Sequence, residues 1–348
     1  MEYRIEHFGE YLATNYSKII LINDNDVCIE LSDLGARILA FWVPVGSGKD
    51  LINIVDGYNS PEEVFKLRGY YLGSIIGRVA GRIKNGTFKL NNEVYSLDKN
   101  NGNHHLHGGT ESIDLEKWSF YIKQTHNKIS VIFELKDFDG HNGYPGNVSF
   151  QVIHSLNNQN EWSIEYKIET DKDTIINPTN HVYFNLSDNE EDILNHQLQI
   201  YADKFLPVDA EGIPTNEIGQ PVVNTIFDFT EGKRIGDVVN QKNEQIILNK
   251  GIDHPFILNS GIREQVILTN PEKTIAISMI TDAPSVVIYT FNDIQDIDLK
   301  RPAHHSIAIE AQSLPNAINF EKVPEEILLV KNEPFISSTI YKLKSNNF

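Results

Sequence analysis

The feature that most limits the fold of this chain is a period of two. Apolar and polar residues alternate in short runs along its whole length: KIILIN, DVCIELSD, GTFKLNN, KISVIFELKD, NVSFQVIHSL, EWSIEYKIET, HQLQIYAD, TIAISMITD, SVVIYTFN and HSIAIEAQ. Successive side chains on an extended backbone point to opposite faces, so each run reads as a strand with one face to bury. Turn clusters separate the runs, among them NDND, FDGHNGYPGN and VDAEGIPTN. Helical signals are few and short. In SPEEVFKL, Ser60 can cap, Pro61 suits the first helical position, and two glutamates face the positive end of the dipole. VPEEILLV near the C-terminus is a second candidate, and a third follows FDFTEGKRIGDVVN.

Many strands, few helices and no alternation of strands with long amphipathic helices predict an all-β fold, a large antiparallel β-sandwich. No repeat of 20 to 50 residues marks a propeller or solenoid, and no Pro/Ser-rich linker divides the chain, so a single domain over residues 1–348 is expected. A content of 40% hydrophobic and 22% charged residues suits such a globular core.

The formal charge of −18 disfavours nucleic acid and anionic membranes as partners. The densest basic stretch, GRVAGRIKNG, spreads Arg78, Arg82 and Lys84 among glycines and can hold a small anion at most. Cys28 is the lone cysteine, so no internal disulfide forms, and its apolar run predicts a buried thiol. The first residues, MEYRIEHFGE, carry neither a basic nor an apolar leader region, and no apolar run is long enough to span a bilayer. A cytoplasmic location is expected.

Five clusters carry candidate chemistry. In NNGNHHLHGG, an extended backbone puts His105 and His107 on one face and His104 on the other; with Glu111 they read HxHxxxE, a half-motif of cupin metal sites. His154 and Asn158 weakly echo the second half. The alternative is a polar turn. In NPTNHVYFNLS, Thr179, His181, Tyr183 and Asn185 share one face, suited either to open solvent or to the wall of a polar-ligand cleft. In HSIAIEAQ, Ile307 and Ile309 face one way while Ser306, Ala308, Glu310 and Gln312 face the other; Glu310 is either an exposed strand carboxylate or one left open to a substrate by its small neighbours. GIDHPF, with Asp253 and His254, reads by itself as a turn. GSIIGRVAGRIKNG has glycines for close backbone approach and two arginines able to fork onto an anion or onto hydroxyls, but lacks the GK[ST] of a P-loop.

Taken together and in order, IGRVAGRIKNGTFKLNNEVYSL, HLHGG, GYPGNVSF, NPTNHVYFNLS, GIDHPFIL and IAIEAQSLPNAIN give a pattern that resembles the aldose 1-epimerase, or galactose mutarotase, family over essentially the whole chain. The resemblance implies a β-sandwich with an open cleft for a monosaccharide, no cofactor and no metal, in a monomer or homodimer. It assigns Glu310 as general base and His181 as general acid. Arg82, His107 and Asp253 match residues that hold sugar hydroxyls, and Tyr183 is a candidate aromatic platform. Gly81 stands where the family usually has asparagine, and Val287 is the nearest counterpart of a common glutamine. Both changes bear on sugar preference and affinity rather than on the reaction.

Interconversion of α and β anomers needs one base for the C1 hydroxyl and one acid for the ring oxygen. Reference pKa values of about 4.3 and 6.5 predict an ionised Glu310 and a His181 that a nearby carboxylate raises into its acid form. Three other functions compete: a cupin-like metal isomerase using His105, His107 and Glu111; a sugar-binding module without catalysis; and a sugar-phosphate epimerase anchored by Arg78 and Arg82.

Overall fold

A computed structural model of the chain describes residues 1–46, 50–187, 191–262, 264–292 and 301–345. The period-two runs are strands, and they pair antiparallel into three larger sheets. Nine strands form one sheet, in the order Ser119–Gln124, Lys128–Asp137, Val148–Asn157, Glu161–Thr170, Phe335–Ser345, Ile275–Thr281, Val266–Thr269, Gln197–Ile200 and Lys233–Arg234. Seven form a second, in the order Gln220–Pro221, Ala202–Phe205, Asp253–Leu258, Ser285–Tyr289, Ile307–Gln312, Tyr183–Phe184 and Val55–Asp56. The first five strands make a third sheet of hairpins, from Glu2–Tyr11 to Asp50–Asn53.

The apolar faces of these sheets meet in one buried cluster. Val131, Phe133, Trp162 and Ile164 come from the nine-stranded sheet, Phe256, Val286, Ile288, Ile307 and Ile309 from the seven-stranded sheet, and Ile19, Leu21, Ile29 and Phe41 from the first. Two contacts tie the layers. Phe41 meets Trp162 edge-on with ring centroids 6.1 Å apart, and the Tyr341 hydroxyl donates to the Ile309 carbonyl at 2.9 Å. Because Ile307 and Ile309 are locked into this core, the alternation of the strand forces Ala308, Glu310 and Gln312 out through its other face. That outer face floors the cleft described below.

Pro61–Lys66 is helical as the sequence predicts, with the Ser60 side chain accepting from the Glu63 N–H. The helix expected after Asn240 is Glu244–Asn249, capped by Asn243, and a shorter one, Ile235–Val239, precedes it. VPEEILLV departs from expectation. Only a 3-10 turn, Glu325–Ile327, forms there, and Leu328–Leu329 continues as a strand paired with Thr174–Ile175. Tertiary pairing that buries Ile327 and Leu329 outweighs the local helical signal. GIDHPF is likewise no turn but opens the strand Asp253–Leu258. Cys28 is buried, and burial pushes its thiol up to about 12, so it is an inert core thiol. Among the described residues no helix is long and apolar enough to cross a membrane.

Candidate active site

On the outer face of the seven-stranded sheet lies a cleft of about 810 Å³. The register of four neighbouring strands arranges its floor in rows: Pro255, Val287 and Glu310 stand side by side in one, and Asp253, Tyr289, Ala308 and Tyr183 in the next. Loops carrying Tyr71, Gly81, Arg82, His107, His181, Gly212 and Pro315 build the walls. Every site residue expected from the sequence, Gly81, Arg82, His107, His181, Tyr183, Asp253, Val287 and Glu310, lines this one cleft.

His181 sits where the expected strand breaks, between Thr179–Asn180 and Tyr183–Phe184. Its backbone is gripped by the turn after Tyr71: its N–H donates to the Ser74 carbonyl and its carbonyl accepts from Gly73 N–H, both at 2.9 Å. Thr179 and Asn185 of the same face are buried too, so this face is not a solvated one. His181 Nε2 lies 3.4 Å from Glu310 Oε1. Neither His181 Nδ1 nor Glu310 Oε2 has a hydrogen-bond partner among the described residues. Both side chains are buried, so the exposed-carboxylate alternative for Glu310 falls.

The electrostatics correct the expectation drawn from reference pKa values. Burial, the largest cause, holds the His181 imidazole down to about 3. Burial followed by the neighbouring Asp253 pushes Glu310 well above the ordinary carboxylate range, against a weaker pull from Arg82. Desolvation outweighs the His–carboxylate attraction because both groups are out of water and neither charge is fully hydrogen-bonded. Burial thus disfavours charge on both members of the pair. Burial raises Asp253 as well, with Arg82 opposing it.

Arg82 is held by its Nε donating to Asn101 Oδ1 at 3.0 Å, with the guanidinium lying over Gly212. Gly81 has φ of +73°, and a Cβ there would stand 2.9 Å from Pro315 Cβ. This wall has no room for a larger residue unless Pro315 moves. The Gly81 N–H donates to His107 Nδ1 at 3.3 Å. With Nδ1 accepting, the neutral ring carries its proton on Nε2. Burial, then His181, Arg82 and His105, keep His107 neutral.

The HLHGG stretch departs from the alternation expected of it. Its strand is only His105–Leu106, and His107 already has φ of +49°. Gly108 packs against the Gly77 carbonyl, where any Cβ would collide, so the glycines serve backbone packing and do not line the cleft. His105 turns inward, with Nδ1 at 2.9 Å from Asp98 Oδ1 and Nε2 at 2.7 Å from the Tyr144 hydroxyl. His104 is buried and accepts from the Asn85 N–H. Neither is a plain loop residue. With Glu111 exposed and His154 buried against Trp162, the cupin-type set is not assembled.

A different trio, His107, His181 and Glu310, brings its donor atoms within 4.8 Å of one another. A ligating imidazole ordinarily donates its second N–H to an acceptor, whereas His107 Nδ1 faces a donor, so this trio fits a hydroxyl better than a metal. Arg78 is not in the cleft. It is fully buried, paired with Asp137 at 2.5 Å and donating to the carbonyls of Asp137, Phe138, Pro145 and Gly146, which removes the paired-arginine anchor for a phosphate.

Two further cleft residues were given no role from the sequence. Tyr71, at φ +55°, packs its ring 4.7 Å from His107 and 6.0 Å from His181. Gln312 shares the Glu310 face, which the alternation of HSIAIEAQ does reveal. Tyr183 packs 5.0 Å from His181.

Comparison with known proteins identifies the family. The family model described as aldose 1-epimerase matches residues 17–342. An aldose 1-epimerase of Haemophilus influenzae is 37% identical over 314 residues, spanning 87% of this chain and 88% of its own. One of Streptococcus thermophilus is 34% identical over 340 residues, 94% of each chain. The crystal structure of galactose 1-epimerase from Lactobacillus acidophilus NCFM superposes with a TM-score of 0.89 at 32% identity, covering 99% of both chains. By fold, extent and sequence, this chain belongs to the aldose 1-epimerase family of carbohydrate isomerases.

Proposed function

We propose that the protein interconverts the α and β anomers of free aldohexoses such as glucose and galactose, with Glu310 and His181 as the proton-transfer pair. The observation that carries the reading is their juxtaposition, Nε2 to Oε1 at 3.4 Å, in a cleft that also presents Arg82, His107 and Asp253. Glu310, as carboxylate, takes the proton of the C1 hydroxyl; the O–H pair becomes the C1=O1 double bond, the C1–O5 bond breaks, and O5 takes a proton from His181. The aldehyde turns about C1–C2, and closure returns both protons.

Ring opening leaves Glu310 protonated and His181 neutral, and burial disfavours charge on both groups. Burial therefore favours the neutral pair of the open-chain form. Sugar hydroxyls donating to Glu310 Oε2, together with Arg82, draw the proton back onto His181 and restore the starting pair. Arg82, His107 and Asp253 hold the ring by its hydroxyls, and Tyr183 and Tyr71 supply aromatic surface.

A cytoplasmic role in hexose or galactose metabolism, as one domain and as a monomer or homodimer, belongs to the same proposal. The test is polarimetry on fresh anomers of glucose, galactose and galactose 6-phosphate, with and without EDTA. Acceleration on the free sugars, unchanged by chelator, is the expected result. Galactose binding without acceleration would leave only a sugar-binding module, and loss of rate in EDTA would restore a metal isomerase.

A further inference from the structure

We infer that Gln312 is a substrate-contacting residue that reads one hydroxyl of the bound aldose and so sets which sugars the cleft accepts; this rests on the aldose reading above. Gln312 lies two residues beyond Glu310 on the same face of Ile307–Gln312, about 6.6 Å along the strand, close to the width of a pyranose ring. With its side chain of equal length, its head group stands one ring away from where Glu310 meets the anomeric hydroxyl. It therefore faces the C3–C4 side of the sugar.

Its surroundings leave the amide to a ligand. The residue is 2% exposed and lines the cleft. Its backbone is pinned, because its carbonyl accepts from Ser285 Oγ at 2.6 Å and its strand pairs it with Ser285. Among the described residues, its side-chain Oε1 has no hydrogen-bond partner. Two other amides of the cleft are spoken for: Asn101 Oδ1 accepts from Arg82, while Asn292 donates to the Ile252 carbonyl and accepts from Thr290. A buried amide oxygen without a partner is destabilising, and an apolar residue at this position would avoid that.

The chemistry suits the position. An amide both donates and accepts, so it can engage one hydroxyl in either sense, or two neighbours at once. It carries no charge. A carboxylate here would add to the repulsion that already raises Glu310 beside Asp253, and an amine would compete for the Glu310 proton.

The experiment is a cycle between enzyme and sugar. Catalysed mutarotation by wild type, Q312L and Q312N is followed with glucose and its 2-deoxy, 3-deoxy, 4-deoxy and 6-deoxy analogues, with thermal melts confirming folding. Wild type should lose about 10–100-fold in kcat/KM on the 3-deoxy or the 4-deoxy sugar. Q312L should lose a similar factor on glucose and nothing further on that one analogue, while keeping the wild-type ratio for 2-deoxyglucose. Q312N, too short to reach, should behave likewise and supplies the cycle if Q312L does not fold. Equal, additive losses across all five sugars would overturn the assignment and make Gln312 structural. Wild type inactive on every sugar would instead sink the aldose reading itself.

Discussion

Replacing Glu310 by glutamine separates the chemistry of the site from its architecture. Glu310 Oε1 is 3.4 Å from His181 Nε2, and Oε2 has no hydrogen-bond partner among the described residues. Glutamine has the same size and keeps one acceptor oxygen, so E310Q breaks no buried network. What it removes is the base. A general base is worth about 10²–10⁴-fold, or about 2.7–5.4 kcal/mol at roughly 1.36 kcal/mol per tenfold. Stability should move the other way or not at all, because a buried group that interacts unfavourably with Asp253 becomes a neutral amide. Polarimetry of freshly dissolved α-glucose gives kcat/KM, and a thermal melt gives Tm. The expected pair of results is a fall of at least about a hundredfold with Tm unchanged or raised. Activity within about tenfold of wild type would refute Glu310 as the base, and a large drop in Tm would show that the carboxyl is structural.

Three further outcomes follow from particular residues. His154, fully buried between Phe133 and Trp162, has its imidazole held by burial down to about 3. Between that value and about 6.5 the unfolded chain binds a proton that the folded one does not, so this stability is complete above pH 6.5 and declines on acidification, by up to about 1.4 kcal/mol per pH unit. Urea midpoints at pH 7 and pH 5 should differ less for H154Q than for wild type; equal differences would contradict the assignment. R78M leaves buried Asp137 with His141 as its remaining partner and strips a donor from four carbonyls, and should cost about 3–5 kcal/mol, read by denaturant unfolding. G81A forces a Cβ to 2.9 Å from Pro315 at φ +73°, costing about 1–2 kcal/mol from the left-handed backbone, and should raise KM through the neighbouring His107.

The all-β fold and the side of each strand that faces the core were legible in the sequence, because period-two alternation is a local property and the pleat enforces it. HSIAIEAQ shows this: Ile307 and Ile309 go to the core, and Glu310 and Gln312 must then face the other way. Motif order and spacing likewise picked out residues that the fold brings to one cleft. The alternation failed where the chain leaves the extended region. HLHGG turns at His107, sending His105 to Tyr144 and His107 to the cleft, and no local pattern announces that turn.

What only the tertiary structure decided is the environment of each charge. The sequence places Arg78 and Arg82 four positions apart and cannot say that one is locked on Asp137 while the other reaches the cleft. It names Glu310 and His181 but assigns them the protonation of solvated groups. The energy of a charge depends on the water and partners around it, and those are set by segments as distant in sequence as Ser74, His181 and Glu310. Residue types and their faces are therefore written locally, whereas the direction in which each charge is shifted, Glu310 up and His181 down, comes from the burial that assembly of these strands creates.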